Sequence, residues 1–231
     1  MSKQTHHNIP LYQCSAQPVP VSPQRSDWPC LDCTSPVKIE VTSVSKRQWT
    51  KAMLGKEMLV FSRYAGTQMG GKLLELDLAL GKQISQSMAR AHFKATLGEP
   101  LLVRIQSEHS DITLKYVLLV GLGRHEDNPQ CATCALYGLA TDWAAQLSVK
   151  TVTIPVLPER YKDRGFTNLR GLLSVLRCRV AHAPQGGFGE LEKIEVVCAQ
   201  QAKRHIDAGL AVSRQLCREC SHPEFCEEEQ P

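Results

Sequence analysis

The sequence predicts a three-layer α/β domain, with helices on both faces of a mostly parallel or mixed sheet. Short apolar runs of strand length recur along the chain, and segments with helical spacing separate most of them. Strands that alternate with helices bury both faces of one sheet. The chain has 231 residues, 42% of them hydrophobic, which is enough for one proper core and crowded for two.

Met1 to Pro36 holds Pro10, Pro18, Pro20, Pro23, Pro29 and Pro36 among Ser and Gln, and is expected to be an extended, disordered tail. Val37, Ile39, Val41 and Val44 alternate with polar residues and predict a half-buried strand. Met58-Leu59-Val60-Phe61 is continuously apolar, as strands buried on both faces are. Gly66, Gly70 and Gly71 then break the chain. Lys72 to Ala91 spaces its leucines, Ile84 and Met88 along a helical face interrupted at Gly81, so one helix or two short ones are expected.

Leu101 to Ile105 and Tyr116 to Val120 predict neighbouring strands around the polar stretch Ser107 to Asp111. Pro129 fits a first helical turn, Cys134 to Leu147 continues the helical pattern, and Thr151 to Val156 returns to a strand. Lys162 to Arg179 reads as a helix and Ile194 to Val197 as the last strand. A closing helix is expected over 200–220, followed by an acidic, disordered tail over 221–231, so the domain proper spans 37–199.

The formal charge of +4 comes without a run of five or more basic residues, which permits contact with nucleic acid but reads as an ordinary solvated surface. Apolar runs such as Val117 to Val120 fall far below the roughly 18 residues of a membrane span. Met1 to Pro10 has no apolar signal-peptide core, so a cytoplasmic protein without membrane contact is expected.

Several segments, taken in order, carry a family resemblance. They are Leu76-Asp77-Leu78-Ala79-Leu80-Gly81, then Phe93-Lys94-Ala95 and Gly98-Glu99, then Tyr116-Val117-Leu118-Leu119-Val120-Gly121-Leu122-Gly123. Asn168-Leu169-Arg170-Gly171-Leu172 and Gly209 to Leu216 follow, the last with Ser213 and Gln215 where an alanine-arginine-aspartate-leucine sequence is usual. From about Lys56 to Arg214 the chain resembles the N-terminal domain of the leucyl aminopeptidase family, cytosolic two-metal exopeptidases. The resemblance implies a macro-like fold, a three-layer α/β domain with a mixed sheet between helices.

That family's chemistry needs two metal ions, held by a C-terminal domain that includes an asparagine-threonine-aspartate-alanine-glutamate-glycine-arginine segment. No such segment occurs between Met1 and Pro231. Losing a whole two-metal ligand set removes the mechanism. The expectation is a stand-alone, non-catalytic binding, oligomerisation or regulatory module. The resemblance implies a full-length aminopeptidase, a second copy of the chain, or nucleic acid as partners. The alternatives are a family member with residual or lost peptidase activity, or a zinc- or redox-responsive module.

The last alternative rests on Cys-x-x-Cys pairs: Cys30 with Cys33, Cys131 with Cys134, and Cys217 with Cys220. This spacing lets two thiolates reach one tetrahedral zinc at about 2.3 Å. Cys217, Cys220, His222 and Cys226 form a compact candidate set, and Cys30 and Cys33 offer a second half-site. Cys131 and Cys134 fall at an expected helix start, where exposed N–H groups favour a thiolate, but packing within a small-residue helix face is the preferred reading. Cys14, Cys178 and Cys198 stand alone and read as structural.

Among the glycine loops, Gly121-Leu122-Gly123 has Glu126 where a dinucleotide fingerprint needs its third glycine, and reads as a strand-ending turn. Gly186-Gly187-Phe188-Gly189 leads into a strand and reads as a hairpin-like loop. The histidines are scattered and no nucleophile elbow is present, so no catalytic residue and no resident cofactor are expected.

Overall fold

Two central strands set the architecture, because successive side chains of a strand point to opposite faces. In β2 (Met58–Arg63) and β4 (Tyr116–Gly121), Met58, Val60, Leu118 and Val120 enter one core. Leu59, Phe61, Val117 and Leu119 enter the other. A strand buried on both sides has no polar face to show, which is why these runs are apolar throughout. The computed structural model describes residues 37–107, 109–124, 129–155, 187–204 and 206–208.

Among the described residues, the sheet has six strands in the order β1-β6-β5-β2-β4-β3. Its remaining members are β1 (Lys38–Ser43), β3 (Pro100–Arg104), β5 (Thr151–Pro155) and β6 (Lys193–Cys198). All neighbours pair in parallel except β3 with β4, where Val103 faces Val117 in an antiparallel register. The sheet is therefore mixed, as expected, and the strands predicted from sequence lie within a residue or two of their observed ends.

Three helices share one face: α1 (Trp49–Leu54), α2 (Gly71–Ala79) and α3 (Gln83–Arg90). Trp49, Met53, Leu73, Leu76 and Ile84 are buried there with Leu59, Phe61 and Leu119. On the other face, α4 (Pro129–Gln146) buries Leu139, Ala140 and Ala144 with Val60, Leu118 and Ile194. Residues 200–204 and 206–208 are helical, and Ile206 joins this second core. Each fully buried Leu or Ile contributes about 1.5–3 kcal/mol relative to exposure.

The interruption expected at Gly81 separates α2 from α3. Gly81 and Lys82 both take left-handed backbone angles, φ 64° and 65°. Lys82 cannot cap the first N–H groups of α3, and Asp77 does so from the preceding helix. Its Oδ1 accepts from the backbone N–H groups of Ile84 at 2.8 Å and Ser85 at 3.1 Å, with Asp77 itself 1% exposed. Asp77→Ala leaves buried donors unpaired and is expected to cost about 2 kcal/mol in urea unfolding. Asp77→Asn keeps an acceptor and is expected to cost less than half of that.

Two features differ from the sequence reading. Helix α1 was not foreseen, because Trp49 and Met53 are its only buried residues and six residues are too few for a period to show. It depends on packing, since so short a helix is unstable alone. The turn at Gly187 to Gly189 is not a hairpin, because β6 pairs in parallel with both of its neighbours. Instead it buries Phe188 and presses Gly189 on α4, where an added Cβ would lie 3.1 Å from the Ala145 carbonyl oxygen. The predicted helix over 162–179, both tails and most of the closing helix lie outside the described residues.

Candidate functional site

Strands β2 and β4 are adjacent and parallel, yet the helices that follow them lie on opposite faces of the sheet. A crevice opens at the carboxyl ends of strands where connections diverge in this way. Here backbone bonds tie the two strand ends to each other and to the segment between α3 and β3. Leu122 N–H donates to Arg63 O at 2.7 Å, Ala65 N–H to Gly123 O at 2.7 Å, and Gly123 N–H to Ala95 O at 3.1 Å. Gly121 N–H donates to Glu99 O at 2.8 Å, and its carbonyl accepts from Gly98 N–H at 2.9 Å.

This close approach needs glycine at 121. A Cβ there would lie 2.6 Å from the Ala95 carbonyl carbon, and closer still to the Thr96 carbonyl oxygen. The Gly121-Leu122-Gly123 stretch is thus more than a turn, because it seats the loop that walls the crevice.

The crevice holds about 430 Å³. Arg63, Tyr64, Gly66 and Thr67 line one side, and Phe93, Lys94 and Ala95 the other. Arg63, the last residue of β2, is partly buried, and burial lowers its pKa from the usual guanidinium value. One terminal nitrogen donates to Met88 Sδ at 3.5 Å and the other to the Thr67 carbonyl. Among the described residues, no carboxylate lies within ion-pair distance of Arg63 or of the Lys94 ammonium. Glu99 stiffens the far wall, its carboxylate accepting from Lys94 N–H at 3.2 Å, Thr96 N–H at 2.9 Å and Thr96 Oγ1 at 3.0 Å.

A second polar cluster lies within the sheet. Glu195 on β6 is 4% exposed and accepts from Thr42 Oγ1 at 2.8 Å, Thr153 Oγ1 at 3.0 Å and Lys56 Nζ at 2.9 Å. Burial alone would push its carboxyl up. The Lys56 ammonium and the two hydroxyls outweigh burial and hold it below the usual carboxylate range. With both oxygens engaged, this cluster joins three strands and presents no reactive group.

The cysteine and histidine candidates are distributed differently. Cys30, Cys33, Cys217, Cys220, His222 and Cys226 lie outside the described residues. Cys131 and Cys134 fall at the start of α4, as the sequence suggests. Cys198 is buried, and burial pushes its thiol up, consistent with a structural role. Among the described residues, no group of three or more His, Cys, Asp or Glu side chains is placed to hold a metal. No helix among them is long and apolar enough to cross a membrane.

Sequence reasoning did not single out Arg63, Thr67 or Lys94 as site residues. A faint signal existed, a cation at the end of an apolar strand just before a glycine-rich loop. The opposite wall is distant in sequence and is joined to it through the end of β4.

A mixed six-stranded sheet between two helical layers, with a crevice at the carboxyl ends of its central strands, defines a macro-like α/β fold. Solved structures agree. A tomato leucine aminopeptidase mutant superimposes with a TM-score of 0.57 at 13% identity, covering 79% of this chain and 36% of that one. The chain thus spans little more than a third of that relative. The Oceanobacillus iheyensis macrodomain, also a mutant, gives 0.54 at 11% identity, covering 80% of this chain and 96% of that one. A Trypanosoma brucei macrodomain in complex with ADP-ribose gives 0.53 at 12%, covering 77% and 72%. No protein-family model and no curated protein sequence matches the chain. At these identities the likeness is one of fold.

Proposed function

We propose that the chain is a non-catalytic binding module of macro-like fold, resembling the N-terminal domain of leucyl aminopeptidases, and that it works at the crevice above β2 and β4. The lining of that crevice carries the reading. Arg63 and Lys94 supply positive charge, Phe93 a flat apolar surface, and the Gly66 turn a backbone that a ligand can approach closely. These are groups that hold and orient.

The neighbours add support at the level of fold. The Trypanosoma brucei macrodomain has been solved in complexes with ADP and with ADP-ribose, so a chain of this architecture can hold a small ligand. The aminopeptidase neighbour supports a second mode of action, in which the module docks on a full-length aminopeptidase or on its own copy. Either mode is compatible with a cytoplasmic setting.

The purified chain is expected to release no nitroaniline from leucine p-nitroanilide above the buffer rate, with Mn²⁺ or with Zn²⁺. Steady release that a chelator abolishes, and that co-purifies with the chain through two columns, would sink the non-catalytic reading.

A further inference from the structure

We infer that β1 is an interface, which pairs antiparallel with β1 of a second copy of this chain about a twofold axis at Ile39 and joins the two sheets edge to edge. Such pairing rests on the second mode of action proposed above, docking on its own copy, and does not depend on what the crevice holds.

The two edges of the sheet differ. With the strand order β1-β6-β5-β2-β4-β3, both β1 and β3 lie at an edge, where backbone groups stay open to another chain unless something blocks them. On β3 they are blocked. Gly121 N–H donates to Glu99 O and Ile105 N–H to Lys115 O, so odd-numbered residues of this stretch turn their backbone groups toward β4 and even-numbered ones turn them outward. Of the outward residues, Pro100 has no N–H. The Gln83 side chain holds both groups of Gln106, its Oε1 accepting from the N–H at 2.9 Å and its Nε2 donating to the carbonyl at 2.8 Å. Leu102 and Arg104 between them offer too short a run to pair.

β1 lacks any such block. Lys38 N–H donates to Glu192 O and Val44 N–H to Cys198 O, so even-numbered residues face β6, and the N–H and C=O groups of Ile39, Val41 and Ser43 point to the open side. Among the described residues, nothing bonds to them there.

The residues of β1 select the partner. Val37, Ile39 and Val41 pack on the core that holds α4, and Lys38 and Glu40 lie on the opposite face with side chains 71% and 31% exposed. An axis at Ile39 sets Ile39 opposite its own copy as a hydrogen-bonded pair and Val41 opposite Val37, so apolar residues meet apolar ones. It also sets Lys38 opposite Glu40 of the second copy, at the non-hydrogen-bonded positions where facing side chains come closest. The twofold makes this ion pair twice. Other registers lose the match. An axis at Glu40 sets two carboxylates face to face, and an axis at Val41 sets Lys38 against Val44 and Glu40 against Thr42. A strand of six residues presents less than the roughly 1,200–2,000 Å² of a standard interface, so the pairing is expected to be weak and concentration-dependent.

The test is sedimentation velocity of the full chain over a wide concentration range, reduced and in low salt. The parent is expected to dimerise as concentration rises. Glu40→Lys sets lysine against lysine and Lys38→Glu sets carboxylate against carboxylate, each twice per dimer, so each should weaken association by about tenfold or more. An equimolar mixture of these two variants restores opposite charges at both sites and should dimerise as the parent does. The double variant Lys38→Glu, Glu40→Lys should do so alone. Should a single variant fail to fold, amide hydrogen exchange of the parent decides. Ile39 and Val41 should exchange more slowly as concentration rises, and Leu102 and Arg104 should not change.

A parent that stays monomeric at every concentration overturns the interface. Ile39 and Val41 amides already slow in that monomer would assign the edge to a segment within residues 1–36 instead. Single variants that dimerise as the parent does, or a mixture that stays monomeric while the parent dimerises, overturn the register and the axis. A dimer that behaves as expected but releases nitroaniline from leucine p-nitroanilide supports the interface and overturns the non-catalytic reading, so the two failures are told apart.

Discussion

Gly121→Ala is expected to destabilise the domain by about 3 kcal/mol, at the upper end of the range for overpacking, because the added methyl meets backbone. An added Cβ would overlap the Ala95 and Thr96 carbonyl groups, which cannot swing aside as a side-chain tip can. Relief requires the segment carrying Ala95 to move off β4, breaking the bond from Gly123 N–H to Ala95 O. For a chain of this size the melting temperature should fall roughly 6–12 °C. Since Phe93, Lys94 and Ala95 wall the crevice, ligand binding should weaken as well. Gly66→Ala is the contrasting case. Open space surrounds that position and only its φ of 72° is unfavourable, so the cost should be about 1 kcal/mol. Thermal unfolding of the two variants side by side separates a steric collision from a backbone preference.

Lys56→Met is the second large effect, expected to cost about 2–4 kcal/mol at pH 7. It leaves Glu195, with a side chain 5% exposed, without its cation, while the 24% exposure of Lys56 keeps the loss below that of a fully buried pair. The sign of the pH dependence follows from the direction of the shift. In the parent, Glu195 sits below its ordinary carboxyl value, so its stabilising contribution is present at neutral pH and is lost as pH falls through that lowered value. In Lys56→Met, burial acts without the ammonium and the folded-state value rises. The difference between the two proteins should therefore be largest near pH 7 and shrink toward pH 4. Adding Glu195→Gln to Lys56→Met should recover part of the loss, because an amide carries no buried charge and can accept from one threonine hydroxyl through its oxygen while its NH2 donates to the other. Urea unfolding at both pH values measures all three proteins.

The strands were legible because a sheet buried on both faces forces apolar runs, and Met58 to Phe61 and Val117 to Val120 state that requirement locally. The break at Gly81 was legible for the same reason, since a left-handed residue interrupts any helical pattern. Asp77, in contrast, hides its purpose, because its hydrogen-bond partners belong to the next helix. Glu195 looks like an ordinary alternation within Ile194 to Val197 until Lys56, Thr42 and Thr153 are brought to it across three strands. The crevice is harder still. Its walls come from two segments joined by the ladder at the end of β4, and Gly121 acts through a neighbour that no local pattern reveals. The plainest chemical signals, Cys217, Cys220, His222 and Cys226 with Cys30 and Cys33, fall outside the described residues.

The central claim is that this macro-like domain acts by binding and not by catalysis. Activity of the purified chain on leucine p-nitroanilide with Mn²⁺ or Zn²⁺ tests it most directly. The account predicts release no faster than in buffer alone. Steady release that a chelator abolishes, and that follows the chain through purification, would contradict it.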